Sequence, residues 1–189
     1  MAKDTSGKKR GSESGSDAVT LLKQDHRQVA ELIDQVEEAE DEKLEGIAAR
    51  ICELLTVHAQ IEEELVYPAA REALEDTDLV AEAIVEHASV KELITKIEAM
   101  SSDDEEYKAT VTVLGEYVKH HVKEEESEMF PQLKETDLDL QVLGQNLAAR
   151  KAELMEELGI GEEGIPTQLS ASASARAKSK RSSGSRASR

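Results

Sequence analysis

From Asp17 to Leu158 the apolar residues recur at steps of three and four, the spacing that gathers side chains on one face of an α-helix. Val19, Leu22, Val29, Ile33 and Val36 predict a first helix, opened by the capping residue Asp17 and running to about Glu40. Leu44, Ile47, Ile51, Leu54, Leu55, Ile61 and Leu65 predict a second over about 41–74. Asp76-Thr77-Asp78 marks a turn, and Leu79, Ala83, Val90, Ile94 and Ile97 carry a third over about 78–100. Ser101-Ser102-Asp103-Asp104 reads as a break and cap before a fourth over about 103–135, with Val111, Leu114, Val118, Val122 and Met129 inward. Leu138, Val142, Leu147, Leu154 and Leu158 keep a looser period over 138–158, a fifth helix that Gly159 and Gly161 end. Pro68 and Pro131 should each kink a helix or begin its end.

Polar residues interrupt these stripes without leaving them. His26 lies between Leu22 and Val29, and His87 follows Ala83 by one helical step. His58 leads to Glu62 in HAQIEEELVYP, and His121 leads to Glu125 in HVKEEESEMFP. Residues i and i+4 share a helix face, so each pair aims an imidazole and a carboxylate at one spot. A carboxylate on an apolar stripe is expensive, because burying an ion costs several kcal/mol unless an opposite charge compensates it. Metal cations remove that cost and take neutral imidazole as a donor.

The two halves of the chain resemble each other. ELIDQVE (31–37) parallels ELITKIE (92–98), with a histidine five residues before each. Aligning the two His-x3-Glu stretches also pairs Tyr67 with Phe130 and Pro68 with Pro131. A duplicated helical hairpin builds a four-helix bundle, and each hairpin would supply half of one site. The expected ligands are His26, His58, Glu62, His87, His121 and Glu125, with His26 and His58 nearer one ion, His87 and His121 nearer the other, and both glutamates bridging. Nitrogen and oxygen donors without thiolate point away from a structural zinc-thiolate site and suit iron best, although manganese or zinc fits the same set. Six protein ligands leave two octahedral irons short, so the expected cofactor is a pair of non-haem irons, oxo- or hydroxo-bridged, with positions open to a small exogenous molecule.

The neighbours of these residues carry plainer expectations. His120 is rotated about 100° from His121 and should be exposed. Asp25 and Glu86 read as solvated, as do Glu63, Glu64, Glu124 and Glu126. Tyr117 suits core packing better than an approach to the centre, while Tyr67 and Phe130 should close one end of the core. Cys52 reads as a small buried residue.

Composition narrows the function classes. Aromatics make up 2% of 189 residues and Trp is absent, which favours helix over strand. The net charge is −18, and residues 17–160 hold 13 Lys and Arg against 37 Asp and Glu, so the folded part is a poor partner for nucleic acid or an anionic membrane. Residues 1–16 and the basic, Ser-rich 161–189 are expected to be disordered around one domain over 17–160, and the tail leaves open a weak contact with nucleic acid. A single cysteine permits no intrachain disulfide, and no apolar run approaches the roughly 20 residues that span a bilayer, so a cytoplasmic protein is expected. There is no Glu-x-x-His of ferritin-like sites, no His-Glu-x-x-His and no Gly-rich phosphate loop.

DHRQVAELI, HAQIEEELVYP, EHASVKELI and HHVKEEESEMFP together resemble the hemerythrin-like (HHE cation-binding) domain family over roughly residues 17–135. The resemblance implies an all-α, up-down-up-down four-helix bundle with a non-haem di-iron centre, here followed by an additional C-terminal helix. Oxygen-carrying members use five histidines, one Glu and one Asp. This chain has only His87 on its third helix and Glu125 where they have Asp, and so is more similar to the bacterial subgroup with a repeated H-HxxxE pattern. The leading expectation is a protein that binds or senses a diatomic ligand, oxygen or nitric oxide. Peroxide consumption of the catalase kind, oxidase activity, and iron buffering or donation are the alternatives.

Overall fold

The computed structural model describes residues 16–161, and among them every regular element is helical. Helix α1 (Ala18–Glu38) opens as expected: the Asp17 carboxylate accepts the Thr20 N–H at 3.0 Å, a cap worth about 1 kcal/mol. Helix α2 (Asp41–Ile61) returns beside α1 and runs through a π-helical turn, Glu62–Val66, into α3 (Tyr67–Ala73). Helix α4 (Asp78–Ala99) and α5 (Tyr107–Glu124) form the second hairpin, and α5 passes through another π-helical turn, Glu125–Met129, into α6 (Phe130–Lys134). The hairpins pack α1 against α5 and α2 against α4, closing the four-helix bundle, and α7 (Leu140–Leu158) lies across α1 and α2. No helix among the described residues is long and apolar enough to cross a membrane.

The prolines act differently from the expectation of a kink or an end. Pro68 has no N–H, and in an α-helix its ring would strike the carbonyl four residues back. The backbone widens instead: the Tyr67 N–H reaches Glu62 O, five residues back, and the helix goes on to Ala73. Pro131 repeats this, with the Phe130 N–H on Glu125 O. Both turns therefore begin at a glutamate of a His-x3-Glu pair, and such turns are frequent at functional sites.

Other boundaries shift by a few residues. Helix α1 stops at Glu38, and α5 starts at Tyr107 because Ser101–Asp104 closes its own turn, with the Ser101 N–H on the Asp104 carboxylate at 2.9 Å. Asp103 and Asp104 therefore do not cap α5. In α7, Leu147 and Leu154 are buried as expected, but Val142 and Leu158 are exposed. The expected disordered segments fall almost wholly outside the described residues.

The core is split into two apolar clusters. One contains Leu22, Ile61, Ala83 and Met129, and the other Val29, Leu55, Val90 and Val118. Between the members from each helix sits a polar residue: His26 on α1, His58 on α2, His87 on α4 and His121 on α5. Each apolar stripe is thus broken at the same level, and the breaks form one buried polar layer across the bundle.

Candidate metal centre

The six expected residues meet in that layer. His26 Nε2 lies 3.2 Å from His58 Nε2, and His87 Nε2 lies 3.1 Å from His121 Nε2. Glu62 places one oxygen 3.2 Å from His58 Nε2 and 3.4 Å from His87 Nε2. Glu125 places Oε2 3.3 Å from His26 Nε2 and Oε1 3.6 Å from His121 Nε2. Each carboxylate therefore faces one imidazole from each hairpin. Two groupings result, His26, His58, Glu62 and Glu125 on one side and Glu62, His87 and His121 on the other, with the candidate donor atoms of each within 4.8 Å of one another.

These groups fit a cation better than they fit each other. Glu62 and Glu125 are 0% and 1% exposed, yet both oxygens of Glu62 and Oε2 of Glu125 have no hydrogen-bond partner. An unsatisfied buried carboxylate is among the costliest groups a core can hold. Burial disfavours the Glu62 charge, but His58 and His87 outweigh it and hold the carboxyl well below its usual range. Burial likewise opposes a charge on His58, yet Glu62, Asp25 and Glu125 push that imidazole up to about 10. Without metal Glu62 keeps its charge and His58 its proton, and that is a proton a cation displaces.

A ring of carboxylates surrounds the imidazoles and was not legible in the sequence. His26 Nδ1 lies 2.9 Å from Glu126, His87 Nδ1 3.0 Å from Glu63, and His121 Nδ1 2.8 Å from Glu86. His58 Nδ1 lies 3.5 Å from Asp25. His26, His87 and His121 thus turn Nδ1 outward to a carboxylate and Nε2 inward to the centre, the arrangement that orients metal-bound histidines. Glu63, Glu86 and Glu126, expected on solvated faces, hydrogen-bond imidazoles instead, and Asp25, expected there too, stands at ion-pair distance from the fourth. Each adjoins a ligand candidate in sequence but serves the histidine of another helix. The π-helical turns explain half of it, because the added residue brings Glu62 and Glu63, and Glu125 and Glu126, round to the same layer. The one available signal was repetition: Asp25 matches Glu86, and Glu63 matches Glu126, across the duplication.

Two aromatic expectations also change. Tyr67 does not merely plug the core; its hydroxyl donates to Glu125 Oε1 at 3.2 Å and meets His87 Nε2 at 3.0 Å. Burial, with Glu62 and Glu125 nearby, pushes that phenol far above its ordinary value, so it stays protonated. Phe130, its repeat counterpart, stacks on His26 with ring centroids 5.8 Å apart. Tyr117 is 47% exposed and joins neither the core nor the centre. His120 is exposed as expected, 3.2 Å from Glu124 and 3.5 Å from Glu86, and Cys52 is buried. Glu64 and Glu124 lie outside the polar layer; Glu64 pairs with Arg150 at 2.7 Å.

Val29, Leu55, Val90, Val118 and Val122 wall a small chamber against the four imidazoles. Its space, about 20 Å³, admits one water-sized molecule. A wider groove of about 380 Å³ runs between α1 and α5 and shares His26, Val118 and Val122 with the chamber. Lys119 and Lys123 stand along it.

Residues 17–133 match the family described as the Hemerythrin HHE cation binding domain. The crystal structure of a Hemerythrin HHE cation binding domain-containing protein from Mycobacterium kansasii is similar, with a TM-score of 0.66 and 26% identity over 76% of this chain and 90% of that one. A curated DNA nickase from Nostoc sp. is 32% identical over 111 residues, which are 58% of this chain and 31% of that protein. The chain therefore matches under a third of that relative's length. Helix α7 begins seven residues beyond the end of the family match.

Proposed function

The chain belongs to the hemerythrin HHE cation-binding domain family, and we propose that it is a non-haem di-iron protein that binds or senses a small diatomic ligand, oxygen or nitric oxide. The observation that carries this reading is the pair of buried carboxylates, each facing an imidazole from both hairpins, with three of their four oxygens lacking a hydrogen-bond partner. His26 and His58 would hold one ion, His87 and His121 the other, and Glu62 and Glu125 would bridge. Bound there, iron supplies a one-electron couple and coordination positions that the protein leaves open.

The remaining residues select what comes near. The valines and leucine of the chamber exclude bulk water and limit the occupant to about the size of one water molecule. Tyr67 keeps a proton beside Glu125 and His87, a hydrogen bond available at the edge of the centre. Glu126, Glu63 and Glu86 favour, for His26, His87 and His121, the tautomer that offers Nε2 inward. With its single free Cys52, the protein fits a reducing, cytoplasmic setting.

The test is a spectrum. Reduced, iron-loaded protein should change its visible absorption on adding oxygen or nitric oxide and recover when the gas is removed. Immediate oxidation with no recoverable spectrum counts against ligand binding. Tyr67, a protonated phenol at the centre, favours peroxide consumption as the second reading. Sustained oxygen release from peroxide, abolished in Glu125→Ala, supports that reading over the first. The DNA nicking named for the Nostoc relative is not carried over, because the match covers 31% of that protein and the net charge here is −18.

A further inference from the structure

Helix α7 lies outside the region that matches the family, which ends at residue 133, yet it reaches the polar layer. Lys151 on α7 forms an ion pair with one oxygen of Asp25, and the other oxygen of Asp25 lies 3.5 Å from His58 Nδ1. Neither that second oxygen nor His58 Nδ1 has a hydrogen-bond partner, so the two meet at ion-pair distance only. The other carboxylates of the ring are served from within the bundle: Lys23 pairs with Glu126 at 2.8 Å, Lys91 with Glu63 at 2.6 Å, and His120 stands 3.5 Å from Glu86.

The four corners also differ in exposure. The side chains of Glu63, Glu126 and Glu86 are 31%, 32% and 21% exposed, whereas that of Asp25 is 10% exposed. Water reaches the first three acids, whereas Asp25 is nearly enclosed and has Lys151 as its ion-pair partner. Helix α7 is also closely packed against the bundle. Gly144 packs against the start of α1 so closely that an added Cβ would lie 2.4 Å from the backbone oxygen of Ser16. Leu147 and Leu154 are 0% and 2% exposed, and Arg150 holds Glu64 in the π-helical turn that begins with Glu62.

We propose that α7 is part of the centre: Lys151 is a positioning residue that holds Asp25 in place beside His58, so the cation position of His26 and His58 depends on Lys151 and that of His87 and His121 does not. The inference rests on the di-iron reading of the six inner residues. It makes the two positions unequal despite the duplicated sequence, with the difference supplied by a helix that the duplication does not contain.

The experiment uses the full chain, loaded with iron, and follows iron release to a chelator without oxygen. Wild type, Lys151→Met, Lys151→Arg, Asp25→Asn and Lys91→Met are compared, with helicity and metal-free melting recorded for each. Loss of an outer partner commonly weakens metal binding 10–100-fold. Lys151→Met and Asp25→Asn are expected to release one iron of the two at least about tenfold faster, while the second leaves at the wild-type rate. Lys151→Arg should restore the slow rate, and Lys91→Met should not reproduce the selective loss. Release of both irons at the wild-type rate in Lys151→Met, or equal acceleration of both, overturns the inference. A wild-type chain that holds no iron pair overturns the di-iron reading itself, which separates the two failures.

Discussion

Removing the metal should destabilise this protein by an amount that can be worked from its buried oxygens. Three carboxylate oxygens, two on Glu62 and one on Glu125, are buried without a hydrogen-bond partner. Each such group costs about 1–3 kcal/mol, and more when charged, so the three approach roughly 6 kcal/mol. In the metal-free protein His58 and His121 offset part of this by binding protons, since the nearby carboxylates raise both, His58 to about 10. Taking about half leaves roughly 3 kcal/mol, a large share of the roughly 5–15 kcal/mol that holds a domain together. Mass action gives a similar size, because free metal at a thousand times its Kd stabilises by about 4 kcal/mol. For a chain of this length 3 kcal/mol corresponds to about 10 °C in Tm. The assay is helix melting by circular dichroism on iron-loaded, chelator-stripped and reloaded protein. A Glu62→Leu/Glu125→Leu double variant should lose the response to iron and, when metal-free, melt no lower than stripped wild type. Stripped and loaded wild type melting within about 2 °C of each other would refute the reasoning, since the buried acids would then be satisfied without a cation.

Tyr67→Phe keeps the ring in the core and removes only the hydroxyl, so stability should change by about 1 kcal/mol while the spectrum of the iron-loaded protein shifts; an unchanged spectrum places Tyr67 outside the chemistry. The His58 contribution to metal-free stability should depend on pH with a definite sign. Because its folded value is raised from 6.5 to about 10, that contribution is complete below about pH 6.5 and is lost as pH rises through 10. The stability gap between stripped wild type and His58→Gln in urea should therefore narrow from pH 6.5 to pH 10, and a widening gap contradicts the pairing. Gly144→Ala should destabilise by about 1–3 kcal/mol, because its Cβ would meet backbone rather than a movable side chain; equal urea midpoints for Gly144→Ala and wild type would show that α7 docks elsewhere.

The inner site was legible in the sequence because two independent patterns coincide there. Helical spacing put His26, His58, Glu62, His87, His121 and Glu125 on inward stripes, and the duplication put each at a matching position. The surrounding carboxylates escaped because the sequence signal for burial is an apolar stripe, and Asp25, Glu63, Glu86 and Glu126 stand one residue off it. Their partners lie on other helices, so only the packing of the bundle reveals them. The π-helical turns were hidden for a related reason. A proline signals strain in a helix but not which way the backbone relieves it, and here it widens at Glu62 and Glu125. Tyr117 was misplaced by spacing alone: it stands one helical step before His121, yet its side chain leaves the bundle.

The most direct test is the number of irons per chain in protein purified from iron-replete cells, counted with and without the Glu62→Gln change. Glu62 belongs to both donor groupings, so the account predicts two irons in wild type and loss of both in the variant, with helicity retained. A fully folded wild-type chain that carries no iron and takes up neither iron, manganese nor zinc would contradict it.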